Sequence, residues 1–233
     1  MVSYRFVSAA IPSYLGDRLH KALKLVFYNR RTRTQGKARD WVNTQLDLHF
    51  AAMRKYLKAP PTAPVGVEDW TEADIRAWVL AAVDWMEAFC AAEDVTWFRE
   101  EWSLPFVYID EAAGLATHLG EPDFVAYAKG RKSYLVLDYK NASGTHNYVD
   151  ETGAIRRAPT NMLDKLLGYA FGVRFRFKKE LRRRFRPITV GYIIFIRDKV
   201  TPTRPLKVHL VTEQVSPQQL EGWRRRMVAQ MTP

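Results

Sequence analysis

Apolar positions recur at helical spacing through the first part of the chain and at strand spacing through much of the rest. Over residues 11–31, Leu15, Leu19, Leu23 and Val26 fall on one helical face, with Arg18, Lys21 and Lys24 on the other. Asn29-Arg30-Arg31-Thr32-Arg33 reads as a basic break. A second helix is expected from Gly36 or Lys37 to Leu57, with Trp41, Leu48, Ala52 and Tyr56 on its apolar side. Pro60-Pro61-Thr62-Ala63-Pro64 reads as a stiff turn within one domain, since either half alone would be small. Thr71-Glu72-Ala73-Asp74 has the form of a capping box, in which a hydroxyl and a carboxylate satisfy free amides at a helix start. The helix it opens should reach about Glu93 and bury Ile75, Trp78, Val79, Ala82, Trp85, Met86 and Phe89 as core.

The pattern then changes. Residues 96–106 read as a strand, and 108–119 as a turn and a return strand. Phe124–Ala128 and Tyr134–Leu137 are apolar runs flanking Lys129-Gly130-Arg131-Lys132, the signature of a hairpin. A polar loop is expected over 141–158, and a helix over 160–175 with Met162, Leu163, Leu166, Leu167, Ala170 and Phe171 on its apolar face. Ile188–Ile196 is a strongly apolar strand and Lys207–Val211 a further one. Ser216-Pro217-Gln218-Gln219 caps a last helix, with Pro at its first position. The expected class is α/β: a central mixed sheet flanked by helices, in one domain over residues 1–233. Its 1–94 part is mainly helical, and 95–233 forms the α/β core.

Composition narrows the function classes. Hydrophobic residues make up 47% of the 233 positions, which excludes a mainly disordered chain. Lys and Arg total 36 against 25 Asp and Glu, and a net charge of +11 favours an anionic partner, nucleic acid above all. Cys90 is the sole cysteine, which excludes a disulfide framework and a Cys-ligated zinc or iron–sulfur site within one chain. The five histidines stand at no metal-ligand spacing; His146 alone falls near the central hairpin. No signal peptide or membrane span is read, so an intracellular, cytoplasmic protein is expected.

The chemistry concentrates in the hairpin. Asp138 and Lys140 are two apart in a strand and project to one face, while Tyr139 turns away. Pairing of the strands would bring Asp123 close to Asp138. Two carboxylates and an ammonium at the end of an apolar strand are costly to bury, and a divalent cation makes the arrangement tolerable. The plainer reading is a surface hairpin with an ordinary Asp138–Lys140 ion pair. The Tyr-Leu-Val-Leu run before Asp138 speaks against that reading, because it suits a strand buried on both faces. Arg174–Arg186 mixes cations with Phe175, Phe177 and Phe185. It is either a tracker of nucleic-acid backbone or a helix with its rings inward and its arginines in water.

Pro122-Asp123 followed by Asp138-Tyr139-Lys140, with Gly120 upstream, resembles the PD-(D/E)XK nuclease signature over roughly residues 95–196. The resemblance implies a metal-dependent DNA nuclease using Mg²⁺, with Mn²⁺ able to substitute. It places Asp123, Asp138 and the Tyr139 carbonyl on the metal, and Lys140 on the attacking water. It also calls for a further acid, Glu101, with Glu100 as the alternative. Gly36-Lys37-Ala38-Arg39-Asp40 is similar to the Gly-x-x-x-His helix of the RecB and lambda exonuclease branch, with Asp40 at the metal-binding position or simply a solvated helix acid. Lys165-Leu166-Leu167-Gly168-Tyr169 resembles that branch's Gln-x-x-x-Tyr helix, with Lys in place of Gln. Lys165, Tyr169, Arg174, Arg176, Lys178 and Arg182 are then the expected contacts to single- or double-stranded DNA. That branch favours end-processing, and with no P-loop present a helicase or recombination partner would be a separate chain. The alternatives are a non-catalytic nucleic-acid-binding protein that keeps the fold and an RNA-directed enzyme of the same fold.

Overall fold

The computed structural model describes residues 11–32, 38–56, 70–100, 120–157, 161–180 and 186–231. Its elements in chain order are α1 (Ile11–Thr32), α2 (Ala38–Tyr56), α3 (Glu72–Ala92), β1 (Val95–Glu100), β2 (Phe124–Ala128), β3 (Ser133–Ala142), α4 (Met162–Glu180), β4 (Ile188–Ile196), β5 (Val208–Val215) and α5 (Pro217–Met231). The class is α/β: one sheet of five strands in the order β1-β2-β3-β4-β5, with helices concentrated in the N-terminal part. The chain divides into two compact units. The first comprises residues 1–91, 140–144 and 194–208, and the second 92–139, 145–193 and 209–233. Among the described residues no helix is long and apolar enough to cross a membrane.

In the first unit α1 buries Leu15, Leu19, Leu23 and Val26, as the spacing predicts. It continues to Thr32, so Asn29, Arg30 and Arg31 lie inside the helix and do not break it. The predicted face of α2 is incorrect. Val42, Leu46 and Phe50 are buried, whereas Leu48 is 61% exposed and Ala52 is exposed. Both stripes satisfy helical periodicity, and contacts with α3 decide between them. Arg76 of α3 lies over the Phe50 ring and donates to Asn43 Oδ1 at 2.8 Å and to Asp47, which turns this side of α2 inward. Helix α3 buries Ile75, Trp78, Val79, Ala82, Met86 and Phe89, together with Leu80, Val83 and Cys90. The Trp78 indole donates to the Ile196 carbonyl at 2.9 Å, satisfying its one polar atom inside the core. The capping box forms as expected: Asp74 N donates to Thr71 Oγ1 at 3.1 Å, and Thr71 N donates to Asp74 Oδ2 at 2.8 Å.

In the second unit the hairpin is antiparallel and in the predicted place, with Phe124 opposite Leu137 and Ala128 opposite Ser133. Strand β1 adds antiparallel to β2 on the other side. At the start of β3, Tyr134 N donates to the Pro187 carbonyl, so β4 enters the sheet beside the beginning of β3. The strands therefore run parallel, and α4 lies on the connection between them, as parallel pairing requires. All nine residues of β4 are buried. Gly191 lets β5 approach closely: a Cβ there would overlap the Val211 carbonyl oxygen and come within 2.8 Å of Thr212 Cγ2. Helix α4 is longer than the expected 160–175 and incorporates Arg174–Glu180, and β5 runs past Val211 to Val215. The start of α5 is capped by Ser216, whose Oγ accepts from Gln219 N at 3.1 Å. β3 runs on through Asn141 and Ala142, which the sequence pattern places in the loop, and the loop that follows is held by a bridge between Val149 and Ile155. The Pro60–Pro64 connector and the return strand over 108–119 fall outside the described residues.

Two stability measurements check this packing. Gly191→Ala should cost about 3 kcal/mol or more in denaturant unfolding, because the added methyl meets backbone and not a flexible side chain; a change below about 0.5 kcal/mol would contradict the close β4–β5 approach. The Asp74 carboxyl is pushed up by burial, but the Thr71 amide and hydroxyl and the Lys199 ammonium outweigh this and hold it below the ordinary 3.8. Its stabilising contribution is therefore present above the ordinary carboxylate range and lost as pH falls through the lowered folded value. Asp74→Asn should flatten the acid limb of the stability curve by one titrating group.

Candidate active site

Asp138 stands at the point where β3 leaves the apolar core. The five residues before it are all buried, and Asp138 itself is 2% exposed. Extending the β2–β3 register by one residue beyond Phe124 and Leu137 sets Asp123 opposite Asp138. Residues directly opposite one another share a sheet face. Asp123 Oδ2 accepts a hydrogen bond from Tyr139 N at 2.6 Å, which fixes the first carboxylate to the backbone beside the second. Alternation along β3 puts Lys140, which is half-buried, on the same face as Asp138. The Tyr139 ring points to the opposite face and stacks on Phe124, with ring centroids 6.4 Å apart.

Helix α4 supplies the next contact. Lys165 Nζ lies 3.3 Å from Asp138 Oδ1, and the Lys165 side chain is 50% exposed whereas that of Asp138 is 3% exposed. Burial lowers the Lys165 pKa, but the Asp138 carboxylate and the Tyr169 hydroxyl more than reverse this and hold it above its ordinary value. One helical turn on, Tyr169 places its ring under the same ammonium, 5.2 Å from Nζ to the centroid. Tyr169 is nearly buried, and burial raises its hydroxyl pKa. Its ring also explains Gly120, whose φ of +87° and close approach both exclude a side chain: a Cβ there would stand 3.0 Å from Tyr169 Cε1. Gly120, Asp123, Asp138, Lys165 and Tyr169, scattered over five sequence positions, thus converge on the ends of β2 and β3.

Two further tyrosines border this group and carry no sequence motif. Tyr192 lies fully buried in β4, donates to the Met162 carbonyl at 2.8 Å, and meets the Tyr148 ring at a tilt with centroids 5.3 Å apart. Both hydroxyls are raised in pKa, first by burial and then by the negative charge of Asp138. The one signal of Tyr192 in the sequence is a phenol within a strongly apolar strand, whose oxygen must find a partner when buried.

The remaining candidates divide. Asp40 belongs to the first unit, where it is an exposed acid in the first turn of α2, a position favoured by the helix dipole. His146 is exposed. Arg174 and Arg176 are half-buried on α4. Phe177 turns inward to stack on Tyr134 at 4.4 Å, whereas Phe175 faces outward, so the basic segment fits neither expected form completely. Arg186, exposed at the other end of that segment, lies over the Tyr127 ring and donates to its hydroxyl at 3.0 Å. Glu101, Arg182 and Gly36 lie outside the described residues, as do the side chains of Glu100 and Lys178.

The donor set suits a small hard cation. Mg²⁺ keeps several waters and binds through one or two carboxylates; Asp123 and Asp138 would supply two, with the Tyr139 carbonyl next to Asp138 in the chain. Among the described residues no group of three or more His, Cys, Asp or Glu gathers. Comparison with family models, curated proteins and solved structures yields no match to this chain.

The Gly120–Tyr169 contact gives a direct check. Gly120→Ala should lose about 1–3 kcal/mol. In a double-mutant cycle with Tyr169→Ala, a favourable coupling of about 1 kcal/mol should appear as the clash is relieved. Additive effects would show that the ring does not constrain the glycine.

Proposed function

We propose that this protein is a Mg²⁺-dependent DNA nuclease, similar in its chemistry to the PD-(D/E)XK enzymes and directed to DNA ends. The observation that carries this reading is the meeting of Asp123 and Asp138 at the paired ends of β2 and β3, with Lys140 on the same strand face. Asp123 and Asp138 would hold the cation through hard oxygen donors, with the Tyr139 carbonyl as a third. A divalent cation held there would neutralise charge at the scissile phosphate and make an attacking water more acidic. Lys140 would orient the attacking water. Tyr169 supports Lys165 from below, and Lys165, Arg174 and Arg176 offer cations to the phosphate backbone. A net charge of +11 supports a polyanionic substrate held largely through sequence-independent contacts.

One observation favours a second reading. Lys165 already gives Asp138 a positive partner from within the chain, as a non-catalytic nucleic-acid-binding protein of the same architecture would require. That protein would bind DNA in a salt-sensitive manner and turn nothing over.

The test is cleavage of end-labelled linear single- and double-stranded DNA, and of RNA, in Mg²⁺, Mn²⁺ or EDTA. Turnover should require the metal and fall about 10²-fold or more in Asp123→Asn, Asp138→Asn and Lys140→Gln. Metal-dependent turnover that survives Asp138→Asn would refute the assigned site. Salt-sensitive binding with no turnover under any condition would leave the binding protein.

A further inference from the structure

The geometry points to Lys165 as a built-in counter-ion that occupies Asp138 until nucleic acid draws it away, so that metal binding is coupled to substrate. This rests on the reading of Asp123 and Asp138 as cation ligands, and adds to it a regulatory role for the α4 lysine.

A carboxylate as buried as Asp138 needs a compensating charge, and here the charge comes from Lys165 Nζ at 3.3 Å. The two partners differ in freedom. The Asp138 side chain is 3% exposed and belongs to the interior of the sheet, whereas the Lys165 side chain is 50% exposed and reaches the carboxylate from the solvent side. Only the lysine can leave. The Tyr169 ring, 5.2 Å below Nζ, holds the ammonium near the pair by a contact that is indifferent to small rotations of the amine. A divalent cation approaching Asp138 meets the like charge of Lys165, which opposes its binding while the lysine remains in place. A phosphate arriving beside α4 offers Lys165 another anion, and the Asp138 oxygen is released to the metal. Linkage makes the effect reciprocal: bound metal frees Lys165 and tightens the hold on the backbone.

The test measures Mn²⁺ affinity, by calorimetry or by the electron paramagnetic resonance of free Mn²⁺. It uses the full chain with and without a phosphorothioate oligodeoxynucleotide that resists hydrolysis. The variants are Lys165→Gln, Lys165→Arg and Asp138→Asn. Wild-type protein should bind Mn²⁺ roughly tenfold more tightly with the oligonucleotide present. Lys165→Gln should show roughly tenfold tighter binding without it and little further gain on adding it. Lys165→Arg, which keeps the cation, should behave as wild type. Unchanged affinity in Lys165→Gln, with binding still abolished by Asp138→Asn, would overturn the counter-ion role and leave the metal site standing. Absence of Mn²⁺ binding in every variant, with or without oligonucleotide, would overturn both.

Discussion

A carboxylate driven almost out of water at the end of an apolar strand is the constraint around which the second unit is arranged. Asp138 follows five buried residues of β3 and is itself 2% exposed. An isolated charge in such a place costs several kcal/mol even after relaxation, so the surrounding groups must compensate for it. Lys165 does so by direct contact, and the Tyr169 ring holds that lysine near. Gly120 in turn leaves room for the ring. Asp123, held by the Tyr139 amide, adds a second carboxylate across the register.

The sheet provides the rigidity this needs. β3 is paired on one side by β2 and on the other by β4, so the position of Asp138 is set by hydrogen-bonded neighbours on both edges. β4 is buried along its whole length, and β5 closes against it where Gly191 removes the side chain that would keep them apart. α4 packs against α5 through Phe171 and Trp223, while Gly168 admits the Trp223 ring at close range. That docking fixes the helix that presents Lys165 and Tyr169 one turn apart.

Much of this was legible in the chain and some was not, for physical reasons. The hairpin declares itself because a short Gly-containing loop between two β-rich runs has few other solutions. β4 is as plain, since a run dominated by Ile, Val, Tyr and Phe suits a strand covered on both sides. The pairing of Asp123 with Asp138 follows once the hairpin register is known. The face of α2 was not legible: Trp41, Leu48 and Ala52 satisfy helical periodicity as well as Val42, Leu46 and Phe50 do, and only Arg76, from another helix, selects the second stripe. The Lys165–Asp138 pair is equally hidden, because the residues are 27 positions apart and nothing local signals the contact. Gly191 matters through Val211 and Thr212 on β5, and Tyr192 through Met162 and Tyr148, neighbours that no window of the sequence contains.

The central claim is that Asp123 and Asp138 share one divalent cation. Anomalous diffraction from crystals of the protein soaked in Mn²⁺ tests it most directly. The account predicts a single strong anomalous peak between the two carboxylates, within coordination distance of both and of the Tyr139 carbonyl oxygen. A saturating soak that leaves Lys165 on Asp138 and puts no manganese between the aspartates would contradict it.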